Sequence, residues 1–380
     1  MTKTTKIVIG IIVAIIVIGG IWWTTNKKPI EKDVIKIGVT LPLSGNLAKN
    51  GGEIKGGLEI ASEEINSKGG INGKQLQLII EDNAGDPSKA VSTANKLLTV
   101  DGANIMFSGF THLTGAIAPI VDKNKKLLLY QSTVPSFAEE STYVFKDYFD
   151  VGRDGELLAK AAIKNKDKKI GIIYLESDFS KDFIKSFEKV LNENDGEIVT
   201  KQAFTSQDRD YRIQLTKIKK SDVDGLLVLG YPFQEMLIFK QIKELGINLK
   251  IYGWCSLFPE ILEDEVSLGV LKENNAIVTD YASDRIMDST EIRNFEDKYF
   301  AKYNKKPSYN SYYAYDDILI LADALKECKN STDIVCLKRK LLQTTFEGLT
   351  EDIRFDGNGV SIRPIYIRQY KEGKLVDFEM

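Results

Sequence analysis

Residues 35–45 read Ile-Lys-Ile-Gly-Val-Thr-Leu-Pro-Leu-Ser-Gly, residues 66–73 read Asn-Ser-Lys-Gly-Gly-Ile-Asn-Gly, and residues 81–90 read Glu-Asp-Asn-Ala-Gly-Asp-Pro-Ser-Lys-Ala. The first is an apolar run that ends in a Pro/Ser/Gly turn, the signature of a buried strand. Between the first and second, Ile54, Leu58, Ala61 and Ile65 recur at helical spacing and share one face. Gln75–Glu81 is the next strand, and Pro87–Val100 the next helix. Strand, helix, strand at this spacing is a right-handed βαβ unit on a parallel sheet.

The pattern continues outward. Ile105-Met-Phe is a short strand, a helix follows near Leu113–Asp122, and Leu127–Tyr130 is a strand. The alternation restarts after Asp150-Val-Gly-Arg-Asp154. Lys169–Leu175 is a buried strand, and Phe179, Phe183, Phe187 and Val190 mark one helix face. Then come Glu197–Phe204, a helix from about 210, Leu226–Leu229, a helix at 234–245, Lys250–Tyr252 and Ala276–Asp280. Residues 289–303, 309–327 and 333–344 read as helices, and the tail, Ile362–Tyr370 and Lys374–Phe378, reads as β. Two α/β sheets in succession are expected, with the tail too small to stand alone. At 380 residues the chain is too long for one ordinary core.

The net charge is −3, and Lys3 and Lys6 are the only charges in residues 1–26, so the body carries −5. A mildly acidic body argues against nucleic acid or an anionic membrane surface as partner. Residues 7–23 hold no charge, and a helix of that length just about crosses a bilayer core of roughly 30 Å. Trp22 and Trp23 sit where an interfacial aromatic belt falls. The segment reads as an uncleaved anchor; a cleaved secretory signal is the other reading. No Ala-x-Ala site is evident, and no cysteine follows the run for lipid attachment, while Lys27, Lys28 and Lys32 weaken the charge asymmetry. Either reading puts residues 33–380 outside the cytoplasm, in the periplasm or at the cell surface.

The opening segments, the run Tyr313-Ala-Tyr-Asp-Asp-Ile-Leu-Ile-Leu-Ala-Asp-Ala-Leu325, and Phe346-Glu-Gly-Leu-Thr with Arg354-Phe-Asp-Gly-Asn-Gly359 together resemble the periplasmic solute-binding proteins of branched-chain amino-acid ABC transporters, the leucine/isoleucine/valine-binding type. The resemblance covers nearly all of 34–380. It implies an α/β, two-lobed type I periplasmic-binding-protein fold, each lobe a mainly parallel sheet flanked by helices, with hinge crossovers between lobes. The expected division is a cytoplasmic stretch 1–6, the anchor or signal 7–23, a linker 24–33, lobe 1 from 34–152 and 282–354, and lobe 2 from 153–281 and 355–380. Cys328 and Cys336, eight apart across Lys329-Asn-Ser-Thr332, resemble the family's small disulfide, which an oxidising compartment permits; Cys255 is left over.

Ligands of open α/β sheets sit beyond the carboxyl ends of strands. That rule selects the loops after Leu41, Phe107, Tyr130, Tyr174, Leu229 and Tyr252. Ser108-Gly-Phe-Thr-His-Leu-Thr114 is similar to the family loop whose hydroxyl and N–H groups hold a carboxylate, with Thr111 the first match and Thr114 the second. The chemistry is apt, since a helix start offers unpaired N–H groups to an anion. The bland alternative is that Thr111 merely caps a helix. Gln131-Ser-Thr-Val-Pro-Ser136 is similar to the second carboxylate loop, so Ser132 and Thr133 share that role, or form an ordinary turn. Ser44 and Asn50 lie on the first loop, Asn50 where the family commonly has an aromatic residue. Phe179 falls where the family has a covering Tyr, and otherwise simply packs its helix. Tyr231 is a further wall. At Trp254 and Cys255, amino-acid binders of the family place an acid for the ligand's ammonium group; its absence counts against α-amino-acid specificity, unless Asp280 supplies the charge. His112, the one histidine, lies beside the expected carboxylate site, though a solitary histidine is usually structural.

One histidine and three cysteines without Cys-x-x-Cys make a Cys/His metal site unsuited, and no cofactor is expected. No P-loop, Gly-x-Ser-x-Gly or His-Glu-x-x-His motif occurs. Gly51-Gly-Glu-Ile-Lys-Gly-Gly57 has the wrong spacing for a dinucleotide loop. The expected function is therefore the solute-binding component of an ABC importer: a non-enzymatic monomer that works with permease and ATPase subunits and traps a small amphipathic solute, a carboxylate or amino-acid-like compound. An extracellular sensory domain acting through a membrane partner is the alternative, and an enzyme on this fold a further one.

Overall fold

The computed structural model describes residues 34–254, 259–281, 289–328, 330, 332–349 and 351–380. The apolar segment 7–23 and Cys255 lie outside the described residues. Among those described, no helix is long and apolar enough to cross a membrane.

The first sheet runs β2-β1-β3-β4-β5, built from β1 (Val34–Leu41), β2 (Gln75–Asp82), β3 (Ile105–Gly109), β4 (Leu127–Gln131) and β5 (Val144–Lys146). Every pairing in it is parallel. The second repeats that order with β7 (Glu197–Phe204), β6 (Lys169–Leu175), β8 (Gly225–Leu229), β9 (Lys250–Gly253) and β10 (Ile277–Asp280), again parallel. The tail extends it: β14 (Tyr366–Lys371) lies antiparallel to β10, and β15 (Lys374–Asp377) antiparallel to β14. A small antiparallel sheet joins β11 (Phe346–Glu347), β12 (Asp352–Phe355) and β13 (Ser361–Ile362). Helices cover the two large sheets, so β3, β4 and β8 are buried along their whole length.

The sheets carry separate apolar cores. Ile54, Leu58 and Ala61 enter the first as the helical spacing requires, and Phe179, Phe183, Phe187 and Val190 enter the second. The glycine cluster serves packing. A Cβ on Gly57 would stand 2.1 Å from the Ser311 carbonyl oxygen, so only glycine lets helix Ala48–Ser67 lie this close to helix Tyr309–Lys326.

Two expected boundaries move. Phe149 and Val151 already belong to the second core, and helix Val151–Lys164 packs there, so the first crossover precedes residue 153. Phe355 packs in the first core, and Val360 joins the cluster under β3 and β4, so the chain leaves the first sheet after β13 rather than at 355. A buried ion cluster marks that point. Arg363 reaches Asp147 on the first crossover at 2.6 Å and Asp316 of helix Tyr309–Lys326 at 3.1 Å. Its guanidinium also lies 4.2 Å from the centre of the Tyr313 ring. Burial pushes the Asp147 carboxyl up, but the Arg363 charge together with hydrogen bonds from Arg363, Ser361 and Asp317 outweighs it and holds the group low. Beside it, burial and the Asp147 charge drive Asp317 well above the usual carboxylate range, and Gln131 donates to it at 2.8 Å.

Candidate ligand cleft

Both sheets change winding direction between their first and third strands, β1/β3 and β6/β8, and crevices of this order open beyond the carboxyl ends there. The sequence-selected loops after Leu41, Phe107, Tyr174 and Leu229 fall at these two points, and those after Tyr130 and Tyr252 lie one strand over, on β4 and β9.

On the first sheet, Thr111 begins helix Thr111–Lys123 after β3, and Ser132 follows β4. Their hydroxyls meet at 2.8 Å. Thr111 is not the cap: that position is Phe110, with φ 69° and no side-chain hydrogen bond to the helix start. A non-glycine residue in the left-handed region is strained, and the Phe110 side chain cannot cap the first-turn N–H groups, for which no side-chain acceptor stands among the described residues. The Phe110 N–H donates to the Gln131 carbonyl, and the Tyr130 hydroxyl donates to Val134 at 2.9 Å, so both loops are fixed from beneath. Thr133 is half-buried on the same turn. Thr114 is a correction. One turn further on, the helix points it inward, fully buried, where it donates to the Ser108 hydroxyl at 3.3 Å. His112 is exposed, with its ring nitrogen 3.3 Å from the Gly85 carbonyl oxygen. Ser44 and Asn50 are exposed. Burial acts against the Asp82 carboxylate, but hydrogen bonds from Ser44 and from the N–H groups of Ala84 and Leu43 hold it below its ordinary range.

On the second sheet the residues are aromatic. Phe179 follows β6 in helix Asp178–Asn192, whose cap is Ser177. Tyr231 follows β8 and stands half exposed, its ring 5.3 Å from Phe179. Trp254 follows β9, buried, with its ring 4.9 Å from Phe179. Phe179 therefore packs its helix and joins the wall at once. Asp280 faces Arg368 at 3.4 Å, so its charge is already answered within the second sheet.

Behind these rings stands a layer that no sequence motif marks. The Trp254 indole N–H donates to the Tyr281 hydroxyl at 2.6 Å, and that hydroxyl donates to Asp154. Phe149 packs on Tyr281 with ring centres 4.3 Å apart, and on Tyr313 at 5.0 Å. No local pattern signals this cluster, because its members come from three separate segments.

Two doubly wound parallel sheets in one chain, each flanked by helices, define the two-lobed architecture of type I periplasmic binding proteins. Residues 34–374 match the model of the periplasmic binding protein family, and the chain belongs to that family. Its members bind solutes outside the cytoplasm and are not enzymes as a class. The Leu/Ile/Val-binding protein BraC3 of Rhizobium johnstonii is 32% identical over 231 residues, 59% of this chain and 62% of the relative. A Leu/Ile/Val-binding protein homolog of Brucella melitensis is 31% identical over 60% of its length, so the chain matches about three-fifths of these two relatives. The branched-chain amino acid transporter substrate binding protein LivJ of Streptococcus pneumoniae, solved with isoleucine, superposes with a TM-score of 0.71 at 29% identity, covering 90% of this chain and 97% of that one. The leucine binding protein LivK of Thermotoga maritima shares the fold at TM-score 0.74 and 24% identity, with 91% and 98% covered. The Cys328–Cys336 disulfide is present.

Proposed function

We propose that this chain is the solute receptor of an ABC importer of the branched-chain amino-acid type, closing two lobes on a small carboxylate-bearing solute. The observation that carries the carboxylate is the Thr111–Ser132 hydroxyl pair, at 2.8 Å, in front of a helix start that no side chain caps. Hydroxyls and helix-end N–H groups suit an anion. Phe179, Tyr231 and Trp254 offer rings to an apolar or ring-bearing body. The lobes are built on the two large sheets, and the crossovers around Asp147 and Arg363 act as the hinge. Residues 7–23 anchor the receptor, which works as a monomer with permease and ATPase subunits.

A second reading, a branched-chain amino acid as ligand, is favoured by the isoleucine complex of the pneumococcal relative. It requires an acceptor for the ammonium group, and Asp280 is engaged by Arg368. Calorimetry with isoleucine, leucine, benzoate, benzamide and glucose separates the readings. Tight benzoate and weak leucine binding supports the first reading, and tight leucine binding the second. Tight glucose binding with no carboxylate bound sinks both.

A further inference from the structure

Asp154 is fully buried in the first turn of helix Val151–Lys164, and its Oδ1 atom has no hydrogen-bond partner among the described residues. Its other oxygen accepts from Tyr281, which accepts from the Trp254 indole. The chain Asp154–Tyr281–Trp254 therefore ties the helix after the first crossover to the ends of β10 and β9. Phe149 closes over it, 4.3 Å from the Tyr281 ring and 6.3 Å from that of Trp254.

We propose that Asp154 is a positioning residue of the ligand cleft: through the Tyr281 hydroxyl its carboxyl sets the Trp254 wall, and loss of its proton disrupts that wall and weakens ligand binding. The inference rests on the reading of Trp254 as part of the cleft. A neutral carboxyl tolerates one oxygen without a donor. A carboxylate there does not, because a buried charge demands hydrogen bonds or water. Asp154 is fully buried, so water reaches Oδ1 only if the packing around it opens. The proton leaves to solvent, and no other bond changes. Burial is the main force that pushes this carboxyl up, to about 8, and the Asp150 charge adds to it. The hydrogen bonds of Tyr281 and Trp254 oppose it, with the Lys146 charge behind them, and Tyr313 lies within reach of its charge. Lys146, itself buried and drawn down to about 8, titrates in the same range and is the competing source of any transition. Since the proton-bound form is the one that binds, affinity falls as pH rises past the transition, by about ten-fold per pH unit at the steepest.

The chain has three tryptophans, Trp22, Trp23 and Trp254. In the full chain in detergent, with Trp22→Phe and Trp23→Phe, Trp254 alone reports by fluorescence. Without ligand, its emission should show one transition between about pH 6 and about pH 10. Asp154→Asn should abolish the transition, and Tyr281→Phe should shift the emission at every pH and flatten it. Circular dichroism checks that both variants fold, and either one that does suffices. A flat profile in the parent overturns the inference, as does a transition that survives in Asp154→Asn, which assigns it to Lys146, or survives intact in Tyr281→Phe. Calorimetry with isoleucine and benzoate at pH 7 and pH 9 supplies the binding arm: whichever binds should bind about ten-fold more weakly at pH 9. If neither binds while the emission transition is lost in Asp154→Asn, the ligand reading fails and the positioning network stands.

Discussion

The two walls of the proposed cleft are built by opposite means. On the first sheet, short polar groups at a helix start do the work: Thr111 and Ser132 are held by the backbone of their own loops, with Phe110 and Tyr130 as the fasteners. On the second, three rings from three strand ends lean on each other and on a polar layer behind them. A wall of backbone-held hydroxyls is stiff and selects charge. A wall of stacked rings has large apolar area and few fixed directions, so its shape depends on what supports it. Orientation of the solute should come from the first wall, and the match to its body from the second.

The comparison assumes that the walls are independent and meet only through the crossovers. Arg363→Ala is the strongest attempt to break it. The variant leaves Asp147 and Asp316 buried without their cation, and removing one partner of a buried pair costs about 3–5 kcal/mol. Urea unfolding should show this loss, with the two sheets parting into separate transitions. A loss under about 1 kcal/mol would mean that the crossovers are held by something else. Replacing Cys328 and Cys336 by Ser should cost about 2–3 kcal/mol by the loop-entropy estimate. The disulfide lies on neither wall, so calorimetric affinity for the bound carboxylate should not change. A fall in affinity with the disulfide removed would show that the far side of the first lobe shapes the site.

Thr111→Ala tests the division of labour itself. Loss of a hydrogen bond to a charged ligand should weaken carboxylate binding by about 1.5–3 kcal/mol and leave the unfolding midpoint nearly unchanged. An unaltered dissociation constant would move the anion away from the first wall.

The first wall was legible because its signals are local. Strand-end loops follow from the βαβ rhythm, and hydroxyls at a helix start carry their chemistry in the sequence. Thr114 shares a helix face with Thr111, and what separates them is depth: one turn further in, Thr114 is fully buried and bonded to Ser108, which spacing alone does not signal. The crossovers were displaced because Asp147 and Arg363 are 216 residues apart, and no periodicity links them. Asp154 carries no distinguishing signal in the sequence, since an acid in the first turn of a helix is favoured by the dipole and commonplace. Only its burial and its bond to Tyr281 distinguish it.

The smallest effect should come from His112, and it sharpens the account of the first wall. The imidazole stands beside Thr111, yet it is exposed and its ring nitrogen lies 3.3 Å from the Gly85 carbonyl oxygen. Charge at an exposed position acts through water and salt, so its contribution to holding an anion is small next to that of a half-buried hydroxyl pair. His112→Gln should therefore weaken carboxylate binding by less than about 1 kcal/mol. Calorimetry of the single and double variants with Thr111→Ala completes a cycle, and near-additive losses are expected, because the two groups share no hydrogen bond. A loss as large as that of Thr111→Ala, or strong coupling between them, would make the imidazole the true anion holder. The first wall would then select charge by a cation rather than by hydroxyls and helix-end N–H groups.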